Sequence, residues 1–116
     1  MKRDFLGYGK VKPKISWPQN NKIAVSFVVN IEEGAELSIS SGDSQNEHVY
    51  ENNKIKILHI PDLCMESHFE YGLRSGIWRI FDILDKYKVK ATFSCCSLAL
   101  ENSPWLIDEI LIRNHE

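Results

Sequence analysis

Apolar residues form two short continuous runs and, between them, a helical pattern. The run at 23–30 is β-branched, aromatic and nearly uninterrupted, which is typical of a strand buried on both faces of a parallel sheet. A similar run at 89–95 predicts a second strand. A helix is expected to begin at Ser75, a favourable N-cap residue, because apolar side chains then recur at every third or fourth position. Its predicted inner face comprises Ile77, Ile80, Phe81, Leu84 and Tyr87.

A second helix is predicted near the end of the sequence. Ser103 can cap it, and Pro104 suits the first helical position. Strand, helix, strand and helix in this order predict an α/β fold with a parallel sheet. Because two strands leave both sheet edges unpaired, we expect a fragment of a larger β/α protein, poorly folded when isolated. The predicted inner face of the second helix comprises Trp105, Ile107, Ile110 and Leu111.

The first 22 residues differ in character from the rest of the chain. Residues 1–22 contain six basic residues and one acidic residue, with glycines and prolines that disfavour regular structure. We interpret them as a basic N-terminal arm that lies over the domain and is anchored by Phe5, Tyr8 and Trp17. Residues 23–116 are then expected to form the domain itself.

The segment at 37–68 is polar and irregular, which predicts a long loop between the first strand and the first helix. A weak strand near 55–60 is the only regular element expected there. Loops of this length in compact domains usually carry function or are mobile.

Composition excludes several classes of protein. The 116 residues suffice for one domain, and the net charge of −2 gives no field that would attract nucleic acid. No apolar stretch approaches the ~20 residues of a membrane span, and none follows the basic N-terminus as in a signal peptide. The odd count of three cysteines suits small buried thiols in a reducing compartment, so a cytoplasmic protein is expected.

Three carboxylates follow the first predicted strand. Glu32, Glu33 and Glu36 lie where chemistry is found in parallel α/β folds, at the carboxyl end of a strand, and Gly34 permits a turn among them. Mutual repulsion among crowded carboxylates suits one of them to act as a general base. A solvated acidic turn is the alternative interpretation of the same spacing.

Other candidate residues are more scattered. Tyr71 and Arg74 directly precede the predicted first helix and could reach the mouth of the sheet, or simply form an exposed turn. The histidines show no metal-ligand spacing, and a surface or structural role is expected for each. They are His48, His59, His68 and His115.

Several of these segments resemble one protein family. The most specific are the Asn-x-Glu-Glu-Gly run at 30–34 and the Glu-Tyr-Gly-x-Arg-x-Gly run at 70–76, accompanied by Ala-Thr-Phe at 91–93 and the final His-Glu at 115–116. The chain resembles the N-terminal part of a polysaccharide deacetylase (NodB-homology) domain, and more closely its metal-independent, allantoinase-like subgroup. The resemblance implies a distorted (β/α) barrel, here incomplete and ending before the family's histidine motif.

The resemblance also implies a chemistry. Typical deacetylases end the first strand in Asp-Asp-Gly, where the second Asp binds a metal; Glu32 and Glu33 stand at these positions here. This replacement favours hydrolysis of a cyclic amide such as allantoin without a cofactor. Glu32 and Glu33 would be catalytic, and Glu36, Tyr71 and Arg74 would bind substrate.

Two alternatives to this assignment are open. The chain could be part of a metal-dependent sugar N-deacetylase whose divalent metal is held by residues further along, or a non-catalytic remnant. The expected partner of a sugar deacetylase is an N-acetyl sugar. The expected partner of an allantoinase-like enzyme is a small amide. Neither nucleic acid nor membrane is expected as a partner, and the full-length protein could form a homo-oligomer.

Overall fold

The computed structural model describes residues 2–48 and 59–116. The predicted weak strand at 55–60 therefore lies largely outside the described residues. A helix of one turn precedes the first strand and another follows it, at Pro18–Asn20 and Ile39–Ser41. The remaining elements are β1 (Val28–Ile31), α1 (Leu63–Tyr71), a π turn (Gly72–Gly76), α2 (Ile77–Tyr87), β2 (Thr92–Cys95), α3 (Ser97–Asn102) and α4 (Trp105–Ile112).

The two strands pair in parallel, as predicted. Val28 lies opposite Thr92 and Ile31 opposite Cys95. Both strands are shorter than their apolar runs, because a strand extends only as far as a neighbouring backbone can pair with it. Residues 23–27 are accordingly exposed and irregular, apart from the Phe27 carbonyl, which accepts a hydrogen bond from the Thr92 amide at 2.9 Å.

The first long helix begins a full three turns earlier than its apolar pattern predicts. Asp62 caps α1, since its Oδ1 accepts a hydrogen bond from the Met65 amide at 3.1 Å. Ser75 is not an N-cap but lies within the π turn, which joins α1 directly to α2. No residue of α1 is buried, so no apolar stripe marked this helix in the sequence.

The hydrophobic core lies between the sheet and the helices that follow it. Ile80 and Tyr87, predicted on the inner face of α2, are 37% and 66% exposed. In α4 the fully buried residue is Leu106, whereas Leu111 of the predicted face is 63% exposed. Helix α3, which was not predicted, adds Ala99. The core comprises Ile31, Ile77, Phe81, Ala99, Leu106 and Ile110.

The N-terminal arm does not lie against the domain. Residues 2–27 are exposed, and the predicted anchors Phe5 and Tyr8 are 83% and 75% exposed. The radius of gyration is 20.0 Å, against about 13 Å for a compact domain of this length. The expectation of a packed arm is therefore wrong for this structure. Within the described residues, no helix is long and apolar enough to cross a membrane.

Candidate active site at the carboxyl ends of the strands

The carboxyl ends of both strands lie at the same edge of the sheet. Glu32 and Glu33 directly follow β1, and Cys96 directly follows β2. The Cys96 amide donates a hydrogen bond to the Ile31 carbonyl at 2.9 Å, which fixes the two strand ends side by side. Parallel pairing thus places the two acidic residues where the sequence predicts a site.

A tight turn orients the carboxylates after β1. Gly34 has a φ of +91°, a conformation that favours glycine, and the Ala35 amide donates to the Glu32 carbonyl at 2.9 Å. The Gly34 amide donates to Glu36 Oε2 at 2.6 Å. The Gly34 carbonyl accepts from Asn102 Nδ2 at 2.7 Å, which ties the turn to the end of α3. The backbone of this acidic turn is therefore held on two sides.

Two adjoining cavities open beside this turn. The first, of about 400 Å³, is lined by Glu33, Glu36 and Arg74 among other residues. The second, of about 540 Å³, is lined by Glu32, Glu33 and Glu36, together with His48. Glu33 and Glu36 border both cavities, whereas Glu32 borders only the second of them. The structure brings the three predicted carboxylates together and places Arg74 beside two of them.

Arg74 and Tyr71, the two candidate residues that precede the predicted first helix, border different cavities. Arg74 Nη1 forms an ion pair with Glu70 Oε2 at 2.5 Å, and both side chains are largely exposed. Tyr71 instead borders a smaller hollow shared with Glu33. Its hydroxyl accepts a hydrogen bond from Arg79 Nη1 at 2.8 Å, which leaves its own O–H able to donate. Both residues retain donors that could bind an oxygen of a substrate.

The loop after the acidic turn completes the wall of the first cavity. Ser38 Oγ donates to Glu66 Oε1 of α1 at 2.8 Å, and Asn46 Nδ2 donates to the Ile60 carbonyl at 2.9 Å. Neither Ser38 nor Asn46 was a sequence candidate, because nothing in a polar loop shows which helix it returns to. The serine, aspartate and asparagine content of the loop was the only available signal.

The first cavity is strongly acidic. Of the described residues that line it, one is a cation, Arg74, and this guanidinium is already paired with Glu70. An uncharged polar substrate would meet many hydrogen-bond acceptors here and few donors. The lining carboxylates are Glu33, Glu36, Glu47, Asp62, Glu66 and Glu70.

Metal ligation can be tested against the donor set. Within residues 2–48 and 59–116, no group of three or more His, Cys, Asp or Glu side chains is arranged to hold a metal ion. The carboxylates around the two cavities therefore do not form a metal centre by themselves in this part of the chain.

The cysteines differ from expectation, whereas His115 has the structural role that was one of the two expected for it. Cys64 and Cys96 are exposed, although buried thiols were expected. Burial raises the pKa of the half-buried Cys95 thiol, and neighbouring Cys96 adds to the effect. His115 is buried: its ring stacks on Phe81 with centroids 6.0 Å apart, and its Nδ1 accepts a hydrogen bond from the Ala91 amide at 3.3 Å. It belongs to the core, not to the candidate site.

Comparisons with known proteins show which proteins this chain resembles. No protein-family model matches the chain. A protein of Schizosaccharomyces pombe named "Putative polysaccharide deacetylase" is 40% identical over 109 residues, which are 90% of this chain and 34% of that protein. The chain thus spans about a third of the length of the curated relative it matches.

The solved structures that match this chain include two crystal structures whose match covers its whole length. PuuE allantoinase matches with a TM-score of 0.83 and 33% identity, and the "probable Polysaccharide deacetylase" of Pseudomonas aeruginosa PAO1 with a TM-score of 0.83 and 32% identity. The match covers 39% of each of those chains. The predicted resemblance to polysaccharide deacetylases and to allantoinase is thereby confirmed for the part of their fold that this chain spans.

Proposed function

We propose that the chain is part of a distorted (β/α) barrel hydrolase that cleaves non-peptide carbon–nitrogen bonds. The observation that carries the proposal is the placement of three carboxylates at the carboxyl end of β1, beside Arg74, in a chain similar to deacetylases and allantoinase. Fold and chemistry point the same way, because active sites of β/α barrels lie at this end of the strands.

The edge of β2 that faces away from β1 also forms backbone hydrogen bonds, which supports the proposed barrel. The Glu116 amide donates to the Ala91 carbonyl at 3.0 Å, and the Phe93 amide donates to the Glu116 carbonyl at 2.6 Å. One residue bonded to both neighbours of Thr92 is the pattern of a parallel ladder. Glu116 thus bonds to β2, on the side opposite β1, in the way that a residue of a parallel strand does, and this supports the proposed barrel.

The reaction would be attack of water on an amide carbon. Glu32 accepts a proton from the water while the water oxygen bonds to the amide carbon. Negative charge then develops on the carbonyl oxygen. When the carbon–nitrogen bond breaks, the proton passes from Glu32 to the leaving nitrogen. Glu32 is exposed at the edge of the second cavity, where it can reach a water and a bound amide.

Other residues would hold the substrate. Glu36 borders both cavities and can accept hydrogen bonds from the N–H groups of an amide or ureido compound. Glu33 also borders both cavities and would orient groups around Glu32. Arg74 and Tyr71 supply donors to its carbonyl oxygens. Because acceptors outnumber donors around the first cavity, a substrate rich in N–H groups fits better than one rich in carbonyls. A cyclic ureide such as allantoin, which carries several N–H groups, meets this requirement.

The test is hydrolysis by the protein that carries this chain, with Glu32→Gln compared with Glu101→Gln. Loss of a general base should lower kcat by ~10²–10⁴-fold with a much smaller change in KM. Glu101 is exposed on α3 and borders neither cavity, so its variant should keep normal turnover. Unchanged turnover in Glu32→Gln would reject Glu32 as the base. Arg74→Ala should mainly raise KM, as for lost ground-state binding.

A metal-dependent sugar N-deacetylase is the second candidate, favoured by the names of two of the relatives. Allantoin and an N-acetylated chitooligosaccharide should be compared as substrates, before and after exhaustive chelation. Allantoin hydrolysis that survives chelation supports the first proposal. Deacetylation that is lost on chelation and restored by a divalent ion supports the second. If the protein hydrolyses neither of these substrates nor any other amide, it is a non-catalytic protein.

A further inference from the structure

Gly72 lies in contact with the Glu33 carboxyl group. A Cβ atom at Gly72 would stand 1.8 Å from Glu33 Oε1, 2.4 Å from Cδ and 2.9 Å from Cγ. Atoms that are not bonded to each other do not approach so closely, so the carboxyl occupies the space that any side chain at this position would fill. The Glu33 side chain thus crosses from the end of β1 onto the first residue of the π turn.

The backbone of Gly72 does not require glycine. Its φ of −55° and ψ of −57° are right-handed helical angles that every residue adopts. Glycine within a helix is in fact less stable than alanine, because it loses more conformational freedom on folding. Its role here must therefore come from the contact it permits and not from its backbone.

Gly76, at the other end of the π turn, provides a natural comparison. Its angles are similar, with φ −60° and ψ −48°. A Cβ atom there would meet its nearest neighbour, Tyr71 Cε1, at 3.5 Å, which is an ordinary van der Waals contact. The two glycines share a backbone conformation and a position at a helix junction, but only at Gly72 would a side chain collide with a carboxylate.

The π turn and the strand end together define where the Glu33 carboxyl can lie. The Ile77 amide donates to the Gly72 carbonyl, five residues back, so the turn is wider than an α-helical one at this point. On the other side, the Glu32 amide points to Glu33 Oε2 at 3.4 Å. The carboxyl lies between these two backbones and borders both cavities.

We propose that Gly72 is a positioning residue: by lacking a side chain, it gives the Glu33 carboxyl its place between the acidic turn and the π turn. A methyl group at Gly72 would force the carboxyl out of this place. The structural part of this inference is independent of the reaction. Its consequence for catalysis rests on the proposed function, in which Glu33 orients groups around Glu32.

Thermal unfolding of four variants of the protein that carries this chain tests the contact without reference to activity. Gly76→Ala should raise the Tm, whereas Gly72→Ala should lower it. When Gly72→Ala is combined with Glu33→Ala, which removes the carboxyl, the change at Gly72 should raise the Tm relative to Glu33→Ala alone. Should Gly72→Ala fail to fold, recovery of folding in the double variant supports the same contact. Equal Tm shifts for Gly72→Ala in the presence and absence of the Glu33 carboxyl would overturn it.

Kinetics test the catalytic consequence. Gly72→Ala should lower kcat on the order of 10²-fold with little change in KM, as for a displaced group, whereas Gly76→Ala should keep both values. Normal kcat in a folded Gly72→Ala variant would overturn the positioning role. If instead the unfolding data show the coupling but Glu32→Gln and Glu33→Gln also keep full turnover, the contact stands and the proposed function fails.

Discussion

Helices α1 and α2 are continuous through the π turn, yet they serve the molecule in different ways. Helix α2 buries Ile77, Phe81 and Leu84 against the sheet, whereas no residue of α1 is buried. Helix α1 instead lines the first cavity, with Met65 and Phe69 among its lining residues. Helix α2 therefore stabilises the fold, whereas α1 forms one wall of the candidate site.

The junction between them explains how one helix can do both. A π turn inserts an extra residue, and this rotates the faces of α1 relative to those of α2. The apolar stripe of α2 therefore does not continue along α1. The residues at the junction also border the acidic turn after β1. Gly72 contacts Glu33, Tyr71 shares a hollow with Glu33, and Arg74 lines the first cavity together with Glu33 and Glu36.

The largest contrast between the two helices should appear when a phenylalanine is truncated in each. Phe81 of α2 is fully buried and packs on Phe93 with ring centroids 5.5 Å apart. Phe81→Ala should lower the free energy of unfolding by about 3–5 kcal/mol. Phe69→Ala in α1 should cost much less, since Phe69 is half-buried beside a cavity. Chemical denaturation measures both; equal losses would contradict the division of roles.

Protonation of His115 should weaken the side of the core that α2 forms. Burial lowers the pKa of His115, helped by Lys90 and Arg113 and opposed by Asp85. The unfolded chain therefore binds a proton on His115 at a higher pH than the folded chain does. This contribution to stability is fully present above the unfolded pKa of about 6.5 and is lost as pH falls from there towards the lower folded pKa.

The measurement is the Tm at several pH values between neutral and mildly acidic. His115→Phe keeps an aromatic ring against both Phe81 and Phe93 but cannot titrate. The loss of Tm on acidification should be smaller in this variant than in the unmodified protein. Identical pH profiles would show that His115 protonation is not linked to unfolding.

The same contrast decides how much of the fold could be predicted. Phe81 and Leu84 were predicted because a helix that packs on a core repeats its apolar residues with the helical period. Helix α1 was missed because it packs on no core, and α3 because it is only six residues long. Residues 23–27 were wrongly predicted as the first part of β1, because apolar content does not show whether a partner strand is present.

The candidate site was predictable where it depends on chain order alone. Glu32 and Glu33 follow a strand, and the carboxyl end of a parallel strand is a known location for chemistry. Ser38 and Glu66 were not predictable as a pair, since their hydrogen bond joins residues that are 28 positions apart. Gly72 stood in a recognised motif, but its contact with Glu33 requires the path of the loop between them.

The start of α1 gives a smaller effect. Asp62 Oδ1 accepts from the Met65 amide at 3.1 Å and caps a helix that has little tertiary packing. Asp62→Ala should lower the free energy of unfolding by about 1 kcal/mol, whereas Asp62→Asn, which retains an acceptor, should cost less. Equilibrium denaturation distinguishes them. A loss as large as that of Phe81→Ala would mean that α1 supports the core after all.

The end of α2 gives the smallest effect, and its sign is opposite. Lys88 has a φ of 54° and lies just past the helix, where its amide donates to Asp85 at 3.1 Å and the Val89 amide donates to Leu84 at 2.9 Å. This is a Schellman ending, in which glycine is favoured over residues with a Cβ atom. Lys88→Gly relieves the left-handed strain but gives up a cation near the helix carboxyl end, so it should stabilise the fold by about 0.5 kcal/mol. Lys86→Gly, two residues earlier within the helix, should destabilise it by about 1 kcal/mol. If both variants destabilise the protein in thermal unfolding, the left-handed ending of α2 does not limit its stability.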